Sequence, residues 1–328
     1  MTLAKETIEL LDGVVSGQRR ALSRAITLVE STRLNHRREA AALLAALAGH
    51  TGQAMRIGLS GTPGVGKSTF IESFGMKLIE QGRKVAVLAV DPSSTIAGGA
   101  ILGDKTRMEQ LARQRAAFIR PSPSGGELGG VARRTREAIL LCEAAGFDTV
   151  LVETVGVGQS ETTVAQMTDM FLLLLAPSGG DELQGVKRGV MEIADIVVVN
   201  KADGAMKEAA IRTRADYASA LRLFRPRDGE AEGYPRALTA SAHTGEGLEG
   251  VWQALRELDR SRRGTGLHAR RRQNQALQWF DAALQTQVMT AFHDQNDLLA
   301  LRTAVSVGKL TPDAAAEQGV QEFLKKLI

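Results

Sequence analysis

The sequence predicts an α/β protein in which a doubly wound, mainly parallel sheet over residues 50–260 carries helical N- and C-terminal extensions. Three observations lead there. Short runs rich in Val, Ile and Leu alternate with helical stretches from residue 55 to residue 240. Those runs are apolar nearly throughout, without the alternation of a sheet that keeps one face wet, and so suit strands buried on both faces. Before residue 49 and beyond about residue 262 the runs are absent and only helical spacing is left.

Composition sets the bounds. A chain of 328 residues holds one large α/β domain with added helices, or two modest domains, and 44% hydrophobic residues suffice for a core. Charged residues at 24% are ordinary for a soluble protein, and 4% aromatics argue against a nucleic-acid surface built on base stacking. The net charge of +4 is a small excess, part of it in "RSRR" (260–263) and "HARRR" (268–272). Both read as solvated helix boundaries, or as a patch for an acidic or phosphate-rich partner. A single cysteine, Cys142, excludes an intramolecular disulfide and a Cys-rich metal site, and its apolar helical setting predicts a core residue. The start "MTLAKETIELLDG" has no signal-peptide run, and "MFLLLLA" is strand-sized, so the expectation is a cytoplasmic protein without membrane contact.

The elements follow in order. Residues 2–48 carry helical spacing, with Ile8, Leu11, Val15, Leu22, Ile26 and Val29 at steps of three and four, and "REAAALLAALAG" is a helix ending at Gly49. Strands are expected at 55–60, 84–90, 116–120, 149–154, 170–176, 195–200 and 236–240. Near the C-terminus, Leu277, Phe280, Leu284, Val288 and Phe292 line one helical face, which must pack either on its own domain or on a second copy. The expected divisions are 1–49, 50–260 and 261–328.

Chemistry enters at "GTPGVGKST" (61–69), where Gly61, Gly66, Lys67 and Ser68 meet the P-loop spacing G-x-x-x-x-G-K-[ST], after a strand and before a helix. Glycines at such a loop let backbone N–H groups close around phosphate oxygens. Lys67 can neutralise β/γ oxygens, Ser68 can ligate Mg²⁺, and the helix start points its positive dipole end at the phosphates. Asp91 and Glu153 end predicted strands at the carboxyl edge and are candidate Mg²⁺-linked acids, against the alternative of helix caps or surface carboxylates. Asp104, in the Gly-rich loop "STIAGGAILGDKTRM", is a further candidate.

The base is read from "VVVNKADG", where Asn200, Lys201 and Asp203 form N-K-x-D after a strand. An Asp carboxylate accepts two hydrogen bonds from the guanine N1–H and 2-amino group, which adenine cannot offer. Lys201 would lie along the base and Asn200 would brace the loop. One strand further on, Ser241 and Ala242 place a backbone N–H where it could meet guanine O6. The nucleotide is therefore expected to be GTP. In "ETVGVGQSE" (153–161), Glu153 and Gly156 occupy a D-x-x-G frame with Glu in place of Asp, as in a switch whose Gly N–H touches the γ-phosphate. Residues 92–104 and "PSGGDELQGVKRG" (177–189) have the composition of two more mobile segments, the second equally readable as an ordinary βα loop.

Taken together, "GTPGVGKST", "AVDPSS", "ETVGVGQSE" and "APSGGDELQGVKRGVMEIADIVVVNKADG" resemble the G-protein chaperone of methylmalonyl-CoA mutase, the MeaB/ArgK family, across the whole central domain. The resemblance implies a Mg²⁺-dependent GTPase, usually a homodimer held by C-terminal helices, that gates cofactor delivery to an adenosylcobalamin-dependent mutase and protects it. It places phosphate contacts on Gly64, Gly66, Lys67, Ser68 and Thr69, metal-linked acids on Asp91, Asp104 and Glu153, and base contacts on Asn200, Lys201, Asp203 and Ser241, and Val65 of the same loop is counted with the nucleotide-binding residues. It also implies a third switch around Asp181, Gln184, Lys187 and Arg188 that couples partner binding to hydrolysis. Gln159 is a candidate to position water, and no arginine finger is evident in cis, which predicts slow intrinsic turnover raised by a partner. A P-loop kinase, a nickel-delivery GTPase and a protein-targeting GTPase are the rival readings. Five His, one Cys and scattered Met count against the last two.

Overall fold

The computed structural model describes residues 4–90, 108–121, 128–154, 160–177, 188–224, 227–295 and 298–326. They form two compact units, Met1–Arg271 and Arg272–Ile328. The first opens with helices α1 (Lys5–Val15), α2 (Arg19–Glu30) and α3 (Leu34–Ala46). Seven strands follow: β1 (Met55–Gly61), β2 (Val85–Val90), β3 (Ala117–Arg120), β4 (Thr149–Thr154), β5 (Met170–Leu175), β6 (Ile196–Val199) and β7 (Arg236–Thr239). The described helices between and after them are α4 (Lys67–Glu80), α5 (Glu109–Arg113), α6 (Leu128–Ala144), α7 (Ser160–Ala165), α8 (Arg188–Ile193), α9 (Lys207–Leu221), α10 (Leu248–Gly264), α11 (Leu267–Gln295), α12 (Leu299–Ser306) and α13 (Pro312–Lys326).

All seven strands lie in one sheet, in the order β3-β2-β4-β1-β5-β6-β7, and every adjacent pair is parallel. Runs such as Val85–Val90 and Met170–Leu175 are buried at every position, which is why they lack alternation. On one face Ile57, Leu59, Leu151, Leu172 and Val198 join Phe70, Phe74 and Trp252 in the largest core cluster. Phe70 and Phe74 stack at 5.4 Å, and Phe74 meets Trp252 edge-on at 6.2 Å. The order puts β1 at the middle, with the chain moving first to one side of it and then to the other. Ligands bind beyond the carboxyl ends of strands at such a reversal, and β1 ends at Gly61.

The N-terminal helices pack on one another, and α2 and α3 also pack on α6. In α2 the expected stripe Leu22, Ile26 and Val29 is fully buried. In α1 the expected stripe is wrong: Ile8 and Val15 are exposed, and Thr7, Leu10 and Val14 are buried instead. The two registers have equal apolar spacing, and Gly13 decides between them. A Cβ there would lie 2.7 Å from Ala21 Cβ, so α1 meets α2 through its glycine face. Cys142 is fully buried on α6, and burial raises its thiol pKa far above the ordinary range.

In the second unit Phe292 and Phe323 meet edge-on at 5.2 Å, and a groove of about 720 Å³ lined by Val288, Phe292, Leu301, Val305, Val320 and Leu324 runs beside them. Leu277 and Phe280 are 63% exposed and Leu284 and Val288 50% exposed, so the apolar face of α11 stays largely open, with Phe292 turned inward. Among the described residues no helix is long and apolar enough to cross a membrane.

Candidate nucleotide site

The carboxyl end of β1 turns directly into the glycine-rich loop, and α4 starts at Lys67 behind Gly66, whose φ of +89° is a left-handed cap open to glycine. Lys67 Nζ donates to Gly61 O at 2.6 Å, folding back over the loop. Burial pushes the Lys67 ammonium below its ordinary pKa, and the carboxylates of Glu153 and then Glu161 push it back up. Glu153 ends β4 beside β1 and is 3% exposed. The side chain behind Glu153 in sequence, Thr154, donates through Oγ1 to Ser60 Oγ at 2.9 Å, pinning β4 to β1 at the loop. Ser68 is half-buried, Thr69 and Gly64 are exposed, and Val65 is buried under the loop.

The N-K-x-D segment docks on the phosphate loop. Asn200, 1% exposed, donates through Nδ2 to Val65 O at 2.9 Å and accepts from Ala242 N at 3.0 Å. Lys201, whose φ is +58°, donates through Nζ to Gly64 O at 2.7 Å. Ser241 Oγ donates to Asp203 Oδ1 at 2.6 Å and accepts from Thr244 N at 3.1 Å. Ser73 on α4 donates to Ala242 O at 2.6 Å, which closes the ring of loops. Asn200 thus ties Val65 to Ala242 through both of its amide atoms, and Lys201 reaches the phosphate loop. The Ser241 and Ala242 amides donate within the chain, to Glu246 O at 2.8 Å and to Asn200 Oδ1, so guanine O6 would share or displace one of them. Asn200→Ala leaves Val65 O and Ala242 N without these partners inside the protein. We expect a loss of about 2 kcal/mol in urea unfolding together with weaker GTP binding. Equal stability of the variant and the parent would contradict this bridge.

Asp91, Asp104, Gly156, Gln159, Asp181, Gln184 and Lys187 lie outside the described residues. Arg188 is exposed on α8 and donates within its own helix, to Glu192 at 2.9 Å. The donor chemistry that is described suits a hard cation: a Ser hydroxyl at the helix start and a carboxylate at the neighbouring strand end, all oxygen. Among the described residues no group of three or more His, Cys, Asp or Glu could hold a metal ion by itself.

The basic clusters require a correction. Arg262 of "RSRR" and Arg271 of "HARRR" are neither solvated nor free for an acidic partner. Arg262 donates to Asp195 at 2.6 Å and Glu230 at 2.5 Å and to Asp169 O at 2.6 Å. Arg271 donates to Thr168 O and Ala165 O, each at 3.0 Å. Charge counting could not find this, because the acids concerned are scattered between residues 169 and 230. Ser73 and Glu161 also went unnoticed, since neither belongs to a motif's defining positions.

A P-loop at the reversal of a parallel sheet, with an N-K-x-D segment docked on it through Asn200 and Lys201, is the arrangement of a P-loop GTPase. Residues 22–297 match the family described as methylmalonyl Co-A mutase-associated GTPase MeaB, and the chain belongs to that family. It is 47% identical over 328 residues to the Mus musculus protein named methylmalonic aciduria type A homolog, mitochondrial, covering 96% of this chain and 79% of that one. It is 48% identical over 281 residues to GTPase ArgK of Escherichia coli (strain K12), covering 86% and 84%. A solved structure of a LAO/AO transport system kinase superposes with a TM-score of 0.76 at 38% identity, over 99% of this chain and 100% of that one.

Proposed function

We propose that this protein is the GTP-hydrolysing chaperone of an adenosylcobalamin-dependent acyl-CoA mutase, methylmalonyl-CoA mutase first among them, gating cofactor delivery and protecting the enzyme. The observation that carries the reading is the docking of the N-K-x-D segment on the phosphate loop through Asn200 and Lys201, in a chain of the mutase-associated family.

In the proposed cycle the backbone of Gly61, Gly64, Val65 and Gly66 cradles the phosphates, and Lys67 leaves Gly61 O to neutralise the β/γ oxygens. Ser68, Asp91 and Glu153 would hold Mg²⁺, with Asp104 linked to it, and the ion would supply positive charge against that of the triphosphate. Asp203 selects guanine, with Ser241 fixing its carboxylate. Gly156 senses the γ-phosphate, and Asp181, Gln184, Lys187 and Arg188 couple the partner to hydrolysis. Arg188 stands in solvent, where a partner can reach it. Intrinsic turnover is slow in this reading and rises when a partner orders the switches. The exposed face of α11 supports a homodimer through the C-terminal helices. Cytoplasmic residence completes the proposal.

The test is GTP hydrolysis by the purified protein, alone and with the mutase at micromolar concentration. A slow basal rate that rises many-fold with the mutase is expected. An unchanged rate would leave a GTPase whose partner is wrongly named.

A further inference from the structure

We propose that Ser73 is a positioning residue for guanine recognition: its hydroxyl ties helix α4 to Ala242 O and so sets the Ala242 N–H where guanine O6 would meet it. The inference rests on the GTPase reading above and adds to it a residue that belongs to none of its motifs.

Ala242 is held on both sides of its Cα. Its N–H donates to Asn200 Oδ1 at 3.0 Å, and its carbonyl accepts from Ser73 Oγ at 2.6 Å. Those two groups lie in successive peptide planes, so the two bonds together fix how the backbone turns at residue 242. The neighbouring Ser241 N–H is engaged inside its own loop, with Glu246 O at 2.8 Å, whereas the Ala242 N–H faces a side chain of the N-K-x-D segment. Of the two amides, Ala242 N–H is therefore the one turned towards the segment that reads the base.

The other end of the tie is firmly held. Ser73 is half-buried on α4, between Phe70 and Phe74, whose rings stack at 5.4 Å in the core. Further along the same helix Lys77 and Gln81 bond Glu249, in the first turn of α10, at 3.0 Å and 2.8 Å. A serine inside a helix commonly returns its hydroxyl to the carbonyl four residues back. Ser73 spends it on a carbonyl 169 residues away in sequence. The helix that begins with the P-loop lysine thus also holds the loop after β7, and the bond from Asn200 to Val65 O closes the circuit. Without the Ser73 hydroxyl, Ala242 O loses its partner on α4 while the Asn200 and Lys201 bonds to the phosphate loop stay in place. Alanine is also the better helix former, so Ser73→Ala does not weaken α4 itself.

The test is binding to the full chain, with Mg²⁺, of GTP, inosine triphosphate, 6-thioguanosine triphosphate and inorganic tripolyphosphate. Inosine keeps O6 and lacks the 2-amino group. The thio analogue keeps N1–H and the 2-amino group but puts a larger, poorer acceptor at position 6. Ser73→Ala is expected to weaken GTP and inosine triphosphate alike, about fivefold, and the thio analogue by less than about twofold, on the scale of one neutral hydrogen bond. Tripolyphosphate, which has no base, should bind as before. Ser73→Thr keeps the hydroxyl and should stay close to the parent for every ligand.

The proposal is overturned if Ser73→Ala weakens all three nucleotides equally, if tripolyphosphate binding falls with them, or if GTP binding is unchanged. It is also overturned if Ser73→Thr loses as much as Ser73→Ala. Should the unmodified protein bind no GTP at all, the GTPase reading itself fails, which is a separate outcome.

Discussion

Asp203→Asn is expected to lower affinity for GTP about 100-fold and to raise affinity for xanthosine triphosphate. The carboxylate is half-buried, and Ser241 donates to one of its oxygens, which fixes the plane of the group. So held, it would present acceptors to guanine N1–H and the 2-amino group in the proposed complex. Hydrogen bonds to a charged group contribute about 1.5–3 kcal/mol each, so losing the pair costs about 3 kcal/mol or more, which is roughly 100-fold. An Asn in the same place turns an NH₂ group towards the guanine donors, adding a clash of donors to the loss. Xanthine carries a carbonyl where guanine carries the amino group, and that oxygen accepts from the new NH₂. Competition binding with GTP, xanthosine triphosphate and ATP reads all three affinities, and urea unfolding shows whether the loop is intact. A GTP affinity within threefold of the parent would mean that Asp203 does not read the base.

This site was readable in the sequence because its parts are short and local. A glycine loop needs its glycines within one turn of chain, and N-K-x-D presents its groups from a single strand end, so spacing alone carries the chemistry. The sheet was readable for a related reason: a strand buried on both faces must be apolar throughout, and Thr149–Thr154 and Met170–Leu175 are. What escaped notice was contact between distant segments. The register of α1 hung on Gly13 meeting Ala21, a fact of packing that periodicity does not contain. Likewise Arg262 and Arg271 looked like surface charge because their partners are a carboxylate in a tight turn before β6 and the carbonyls after α7. Asn200 was expected to brace its loop, and its bond to Val65 O, 135 residues away in sequence, came only from the structure.

Replacing Arg262 by Ala is expected to cost about 3–5 kcal/mol, the loss typical of breaking a buried ion pair by removing one partner. Arg262 is the hub of a cluster on the amino-terminal edge of the sheet, opposite the phosphate loop. It bonds Asp195 and Glu230, while Asp195 also accepts from Phe171 N at 2.8 Å and from Arg227 at 2.5 Å. Asp195 is 1% exposed. Burial pushes its carboxyl pKa up, but Arg262, Arg271 and Arg227 together outweigh burial and hold it below the ordinary value. A carboxyl whose folded pKa is depressed stabilises the fold above its unfolded value, about 3.9, and that contribution is lost as pH falls through the folded value. With Arg262 gone, an ionised Asp195 keeps Arg227, the Phe171 amide and the more distant Arg271 against the cost of burial. Once protonated, Asp195 needs Arg262 far less. The gap in stability between parent and variant should therefore be widest near pH 7 and narrow below about pH 3.9. Urea unfolding across that range measures it, with Arg262→Met included to keep the packing of the side-chain stem. A gap that stays constant with pH, and that Met closes, would assign Arg262 to packing instead of charge.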